Sequence, residues 1–323
     1  MSSYECDKYL ATIDNVGDVL NKYGVAIIFD VLNDTECENM FNDFWKYLEN
    51  LTQKWDTPIK KNNVDSWKEY KKLYPQHSMM IQHWNIGHAQ FIWNLRQNPK
   101  IVDIFAKIYG VTSEELLTSF DGASFHIPPE RTGFGWLTNT SWFHTDQSYT
   151  RNNFECVQSW ITSCDVNEGD ATLVILESSH KNHKYFAEEF NIKEKNDWFP
   201  LSPEEVQFYK DDGYIERKIK CKKGSLVLWD SRTIHYGCEP EKTREKENFR
   251  CIAYLSYQPR KLCSRKKLEK KQKAFEDMRT TSHWPCKIKL FPKYPYTRGA
   301  ELPKVTPIQK PVLSDLGKKL AGF

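Results

Sequence analysis

The chain has little of what marks fibrous, low-complexity or membrane-spanning proteins. Its 14 glycines and 15 prolines are scattered through 323 residues without period, which excludes a collagen-like or linker-rich chain. No apolar run approaches the roughly 20 residues of a membrane helix, so no membrane span is expected. The first residues, MSSYECDKYLATID, lack the basic and apolar regions of a signal peptide, and a cytoplasmic protein is expected. Nine cysteines occur (Cys6, Cys37, Cys156, Cys164, Cys221, Cys238, Cys251, Cys263 and Cys286), odd in number, irregular in spacing and without a CxxC pair. Reduced thiols are expected, not a disulfide framework or a structural zinc site. There is no Walker loop, dinucleotide fingerprint, HExxH or GxSxG elbow to carry nucleotide, hydride, zinc-protease or serine-nucleophile chemistry.

A strong charge of one sign is also missing, since the net charge is +3. The basic character is local. Residues 260–273 hold eight Lys/Arg and one Glu, a net of +7, which leaves the rest of the chain at −4. Such a run can bind nucleic acid, but a solvated helix face explains it better, because no stacking-aromatic platform or zinc finger accompanies it.

What the chain has in quantity is aromatic surface: 11 Trp, 16 Tyr and 18 Phe. That is more apolar surface than a disordered chain carries, on a length that supports one large core. No repeat, linker or composition break divides it. A single domain over 1–323 is expected, with a strand and helix region at 1–117, a β core at about 118–260, and a basic helix with an extended tail at 261–323.

Residues 24–32 (GVAIIFDVL) read as a buried strand. A helix follows, with Thr35 and Glu38 as its capping box and Cys37, Met40, Phe41, Phe44, Trp45 and Leu48 as its apolar stripe. A second helix is expected over 98–109, capped by Asn98, opened by Pro99 and closed by Gly110. Residues 154–166, 171–176, 224–229 and 249–257 are strand candidates. Helical pattern among them is confined to 182–212, which argues antiparallel strands of a sandwich, barrel or jelly roll and not βαβ units. The basic run should form a helix with Leu262, Leu268, Phe275 and Met278 inward, and a short helix is expected near Ser314.

Chemistry concentrates at Trp142-Phe143-His144-Thr145-Asp146-Gln147. In a strand, residues i and i+2 share a face, so His144 and Asp146 reach one point. They are two-thirds of a two-histidine, one-carboxylate facial set for non-haem Fe(II). A third donor, His235, ends the apolar run from Gly224, 89 residues after Asp146. Arg250 opens the next β run, and a buried arginine there calls for an anion, which its planar fork suits.

These pieces resemble the phytanoyl-CoA dioxygenase-like branch of the Fe(II)/2-oxoglutarate-dependent oxygenases. The resemblance is carried by YGVAIIFDVLNDTEC (23–37), FHTDQS (143–148), GDATLVILESSHKNH (169–183) and GSLVLWDSRTIH (224–235) followed by Arg250, and it covers roughly 20–260. It implies a double-stranded β-helix (jelly roll, cupin-like) with helices on one sheet. It implies His144, Asp146 and His235 as metal ligands, Arg250 as the partner of the far carboxylate of 2-oxoglutarate, and Trp160 near the co-substrate. The implied reaction takes Fe(II), 2-oxoglutarate and O2, releases succinate and CO2, and hydroxylates an unidentified substrate. Asp146 stands where related halogenases carry a small residue, which favours hydroxylation. The insertion EPEKTREKEN (239–248) lengthens the turn before Arg250 and makes Arg244 its rival; Arg250 is preferred because it starts a strand, while Arg244 is expected in an exposed turn. No CoA-binding pocket is recognisable.

Other residues have plainer readings. His180 and His183 form an HxxH, read as solvated loop histidines in preference to a second metal site. His83 and His88 are read as packed or hydrogen-bonded in preference to ligands, and the aromatic segment that carries them, together with Arg96, as a candidate lining of the substrate entrance. One of Trp142 and Phe143 should face the core. Arg232 is read as structural. Two other readings of the whole remain: a metal-binding jelly-roll protein without oxygenase activity, and a nucleic-acid or partner-binding module on an oxygenase fold.

Overall fold

The structure is a computed structural model that describes residues 3–138 and 141–323. In chain order its strands are β1 (Ser3–Glu5), β2 (Val25–Ile28), β3 (Met80–Ile81), β4 (Leu116–Thr118), β5 (Ala123–His126), β6 (His144–Thr145), β7 (Val157–Thr162), β8 (Thr172–Leu176), β9 (Phe199–Pro200), β10 (Glu216–Ile219), β11 (Leu226–Asp230), β12 (His235–Cys238) and β13 (Arg250–Pro259). They form two sheets, ordered β1-β10-β8-β12-β6-β9 and β2-β11-β7-β13-β5-β3, with β4 also paired to β13. All these pairings are antiparallel except β1 with β10.

The strands of the second sheet alternate between two buried faces. Val25, Ile27, Trp160, Val227, Trp229 and Ile252 meet Leu173, Ile175 and Ile219 of the first sheet. Their neighbours Ala26, Ile28, Ile161, Leu226, Leu228 and Ala253 face the helices Asp34–Thr52, Gln90–Arg96 and Pro99–Tyr109. Because both faces are buried, these strands read in sequence as continuous apolar runs. The other face of the first sheet is covered by the helices His183–Glu189 and Pro203–Asp211 through Phe143, Val174, Leu176, Phe186 and Tyr209.

The helix boundaries follow local chemistry. Asn98 accepts from Lys100 N, Pro99 opens the helix and Gly110 closes it in the left-handed region, as expected. The helix Asp34–Thr52 is capped two residues earlier than expected: Asn33 accepts from Glu36 N, and Glu36 accepts from Asn33 N, both at 2.8 Å. Asn33 is extended and its side chain reaches the third helical residue, so the Asn33–Glu36 pair satisfies two of the helix's free N–H groups and Thr35 lies inside the first turn. Gly24 joins Val16–Tyr23 to β2 at φ +77°, where an added Cβ would lie 2.5 Å from Thr233 Oγ1 and 2.7 Å from His180 Nδ1.

The basic run forms the helix Arg265–Glu276. Phe275 is buried, Leu268 and Met278 are half-buried, and Leu262 is exposed, contrary to expectation, because it precedes the helix in a separate 3-10 turn. Lys271 is fully buried, so it does not belong to the solvated face. Ser314 caps Asp315–Ala321. All nine cysteines are free. Among the described residues no helix is long and apolar enough to cross a membrane.

Candidate functional site

His144 and His235 face each other across the β6–β12 pairing, their ring centroids 4.4 Å apart. Asp146 lies one residue past β6, its backbone N–H donating to Ser231 O in the turn that carries the chain from β11 to β12. That turn is held by Arg232, whose guanidinium grips Asp230 at 2.6 and 3.0 Å and donates to Asn152 O; its role is structural, as expected. The His144 and His235 Nε2 atoms lie 3.6 and 3.4 Å from Asp146 Oδ2. One ligand atom from each of the three residues falls within 4.8 Å of the others. Cis ligands of an octahedral ion stand about 3 Å apart, so the donor set fits a facially bound metal.

The tautomers suit the same purpose. His144 Nδ1 lies 3.2 Å from Trp142 O and His235 Nδ1 2.8 Å from Thr233 O. With the ring proton assigned to Nδ1, each Nε2 keeps its lone pair toward the shared point. The Trp229 indole N–H donates to His235 Nε2 at 3.2 Å, so a metal there would replace that hydrogen bond. Burial pushes the His235 pKa down and favours the neutral ring that ligates. Burial alone would raise the Asp146 pKa, but the imidazoles of His144 and His283 beside it hold it well below the usual range. Gln158 Nε2 donates to Asp146 Oδ2 at 3.0 Å and orients the carboxylate.

The three residues open on a cavity of about 590 Å³ between the two sheets. Arg250 and Trp160 line the same cavity. Arg250 is 5% exposed; its Nη1 donates to Ala171 O at 2.9 Å, its Nε to Ser124 Oγ at 3.3 Å, and its guanidinium lies 5.4 Å from the Trp160 ring centroid. Among the described residues no carboxylate pairs with it. Trp160 Nε1 is also buried without a partner. Arg244 differs. The turn is exposed at Lys242, Thr243, Glu245, Lys246 and Glu247, as expected, but the Arg244 side chain points inward, 2% exposed, and is neutralised by Glu130 at 2.5 Å and Asp170 at 3.1 Å. Pairing with those two carboxylates draws the inserted turn onto the protein and leaves Arg244 no capacity for a ligand anion.

Alternation along residues 142–144 splits the aromatic pair. Phe143 packs in the core against Tyr236. Trp142 lines the cavity, its ring stacked 4.9 Å from His144 on one side and 4.1 Å from His77 on the other.

His180 and His183 are not brought to any metal cluster found among the described residues. They are buried, not solvated: His180 Nε2 contacts Asn21 O at 3.0 Å and His183 Nε2 contacts Ser148 O at 3.2 Å. His83 and His88 contact the carbonyls of Pro292 and Arg279. Met80 and Gln82 of that segment line the cavity, but Arg96 is fully buried against the carbonyls of Gly87 and Asp121 and does not, so it is not an entrance residue.

Several cavity residues escape the sequence reading. Asp121 is held by Gly122 N at 2.7 Å, and burial raises its carboxyl to about 7. Tyr254 stands opposite Trp160 in the β13–β7 register. Ser282, His283 and Trp284 enter from a segment read only as an extended tail. A histidine beside a tryptophan and a proline in an otherwise charged stretch was the one available signal.

Residues 20–239 match the phytanoyl-CoA dioxygenase (PhyH) family, and the chain belongs to it. Among curated proteins it is similar to Ava biosynthesis cluster protein O of Aspergillus versicolor, 29% identical over 212 residues that make up 63% of this chain and 65% of that protein. Among solved structures it is similar to a hypothetical protein, JW0805, from Escherichia coli (TM-score 0.60, 12% identity, 99% of this chain and 86% of that one). It is also similar to GlcNAc Inducible Gene 2 (DUF1479) from Candida albicans (TM-score 0.52, 15% identity, 82% of this chain and 67% of that one). At these identities the likeness to solved structures is one of fold.

Proposed function

We propose that the chain is an Fe(II)- and 2-oxoglutarate-dependent oxygenase. His144, Asp146 and His235 hold the metal, Arg250 holds the far carboxylate of 2-oxoglutarate, and Trp160 flanks that arginine. The observation that supports this is the meeting, in one cavity, of three facially disposed donors and a buried arginine without a carboxylate. A plain metal-binding protein has no use for the arginine. The basic run gives little support to a nucleic-acid module, because Lys271 is withdrawn from its face.

The reading extends to the whole chain as one oxygenase domain on a double-stranded β-helix, in which the two sheets close around the site. Each residue then has a task. Trp142 O and Thr233 O hold the two imidazoles with their lone pairs inward. Gln158 and the Ser231 carbonyl fix Asp146. Ser124, Ala171 O and the Trp160 face hold the Arg250 fork for two parallel bonds to a carboxylate. Leu173, Trp229 and Tyr254 keep water from the buried end. When bound, the iron would supply the O2 chemistry that couples decarboxylation of 2-oxoglutarate to succinate and CO2 with hydroxylation of a substrate C–H bond. A carboxylate at position 146 favours hydroxylation over halide transfer.

The test is anaerobic visible absorption with Fe(II), before and after 2-oxoglutarate. A metal-to-ligand charge-transfer band that disappears in His144→Ala and weakens in Arg250→Ala is expected. No band in folded, metal-loaded protein would overturn the reading.

A further inference from the structure

Past the family match, which ends at residue 239, the chain returns to wall the cavity. Thr281 bridges to Leu290 and Ser282 N donates to Lys289 O at 2.9 Å, so residues 281–290 fold back as a hairpin along it. The hairpin is tied to the core: Phe120 N donates to Thr281 Oγ1 (3.0 Å), Cys286 N to Gln258 Oε1 (3.1 Å) and the Trp284 indole to Asp146 O (3.2 Å). The chain that leaves the hairpin closes a second cavity, of about 600 Å³, against residues between 71 and 83. That wall is fixed too, since Pro292 O lies 3.0 Å from His83 Nδ1 and Pro295 is buried. Gln76 lines both cavities, and His77 of the second stacks at 4.1 Å on Trp142 of the first. The two cavities are neighbours.

The second cavity has charge of one sign. Lys71 and Arg298 line it, and among the described residues no acidic side chain does. Both are exposed, and neither forms an ion pair among the described residues; Glu69, close by in sequence, is engaged by Lys72. Burial pushes the pKa of His77 and His83 down, so these two imidazoles add hydrogen-bonding nitrogens and no charge. A concave surface with uncompensated cations concentrates anions, and an arginine fork beside a lysine suits an oxyanion.

The backbone around it is also costly. Tyr74 (φ +52°), His77 (+50°), Ser78 (+56°) and Arg298 (+54°) all line this cavity in the left-handed region, four of the ten non-glycine residues so placed among the described ones. Met79 N donates to Gln76 O at 3.0 Å across His77-Ser78, a turn with two left-handed central residues where Asn-Gly is the easy pair. Strain of this kind gathers at functional sites.

We propose that the second cavity is a binding site for a small molecule bearing an oxyanion, a phosphate ester or a carboxylate, which Lys71 and Arg298 receive. The assignment does not rest on the oxygenase reading, because Arg250 faces the other cavity.

The test is equilibrium dialysis at low ionic strength, without added iron, with phenyl phosphate, benzoate and their uncharged counterpart phenol. The protein carries Arg250→Ala throughout, so that an anion taken up at the first cavity's arginine does not count. It should bind at least one of the two anions about tenfold more tightly than phenol, and the tighter one names the oxyanion. Lys71→Gln and Arg298→Gln should each shrink that preference, and both together should abolish it. Arg298→Lys, which keeps the charge, should retain part of it. Lys266→Gln with Lys267→Gln, which removes charge from the basic helix, should leave it in place. No preference for either anion over phenol, a preference surviving Lys71→Gln with Arg298→Gln, or a preference lost with Lys266→Gln and Lys267→Gln would each overturn the assignment. The readout needs neither iron nor turnover, so a missing charge-transfer band beside an intact preference would overturn the oxygenase reading alone.

Discussion

At the cavity, Arg250 is buried against Ser124, Ala171 O and the Trp160 ring, with open space before its guanidinium. Under the C-terminal helix, Lys271 is buried against Thr118 O and the Phe120 ring, 4.1 Å from its centroid, and does not line that cavity. Among the described residues neither has a carboxylate partner. Burial drives the Lys271 pKa down to about 7, so the amine can shed its charge. An arginine has no such escape near neutral pH, and its charge must be met by protein carbonyls, as at Arg96, or by an anion from outside. A buried cation therefore points to a ligand only when it also faces a cavity and cannot deprotonate. Arg96 makes the same point, since it is fully buried on two carbonyls and does not line that cavity.

The largest effects should come from the metal donors. His144→Ala, Asp146→Ala and His235→Ala should each cut 2-oxoglutarate turnover by about a thousandfold or more, measured as succinate release. The two arginines should then separate. Arg250→Ala should raise the KM for 2-oxoglutarate by about a hundredfold, as expected on removing a charged hydrogen-bonding partner, with less change in kcat. Arg244→Ala should leave that KM near wild type and lower Tm instead, because it strands Glu130 and the buried Asp170. Equal KM effects from the two would erase the distinction drawn here.

What was legible in the sequence follows the same division. His144, Asp146, His235 and Arg250 stand at strand ends, where turn chemistry and period-2 alternation mark them, and the structure gathers them around one cavity. The main core strands were legible because burial on both faces leaves an unbroken apolar run. The strands β5 and β12 were missed. Each is four residues long and carries polar side chains, such as Ser124 and His235, whose burial comes from tertiary neighbours and not from local pattern. The hairpin 281–290 was missed for a related reason: its shape is set by bonds to Phe120, Gln258 and Asp146, more than 25 residues away in sequence. The buried state of Lys271 has no local signature inside a run of lysines.

Lys271 gives a middle-sized prediction. Its folded pKa of about 7 lies below the ordinary 10.5, so between those values the unfolded chain binds the extra proton. Stability should therefore rise with pH across about 7 to 10.5, and stay at its lower level below pH 7. Lys271→Met should remove that rise and give an equal or higher Tm at pH 7, because an apolar chain of similar length takes the place of an unpaired buried cation. Chemical denaturation of both proteins from pH 6 to 10 measures the difference. Parallel curves would mean that Lys271 keeps its charge when folded.

The smallest effect should come from the neighbours of Lys271 on the same helix. Lys266 and Lys267 are exposed, and neither forms an ion pair among the described residues, so Lys266→Gln with Lys267→Gln removes two solvated charges and no packing. Stability should change by about 0.5 kcal/mol or less, and succinate release should not change. Lys270 is a poor member of such a set, because its Nζ donates to Ile288 O and so helps hold the hairpin that walls the cavity. Neutralising the whole run would mix three different roles: solvation at 266 and 267, hairpin support at 270, and core burial at 271. A nucleic-acid surface would behave otherwise, since Lys266→Gln with Lys267→Gln alone would weaken binding of a DNA or RNA duplex and flatten its salt dependence. A measurable, salt-dependent loss of duplex binding in that pair would give the helix a second function. Unchanged behaviour leaves it a solvated face laid over one buried amine.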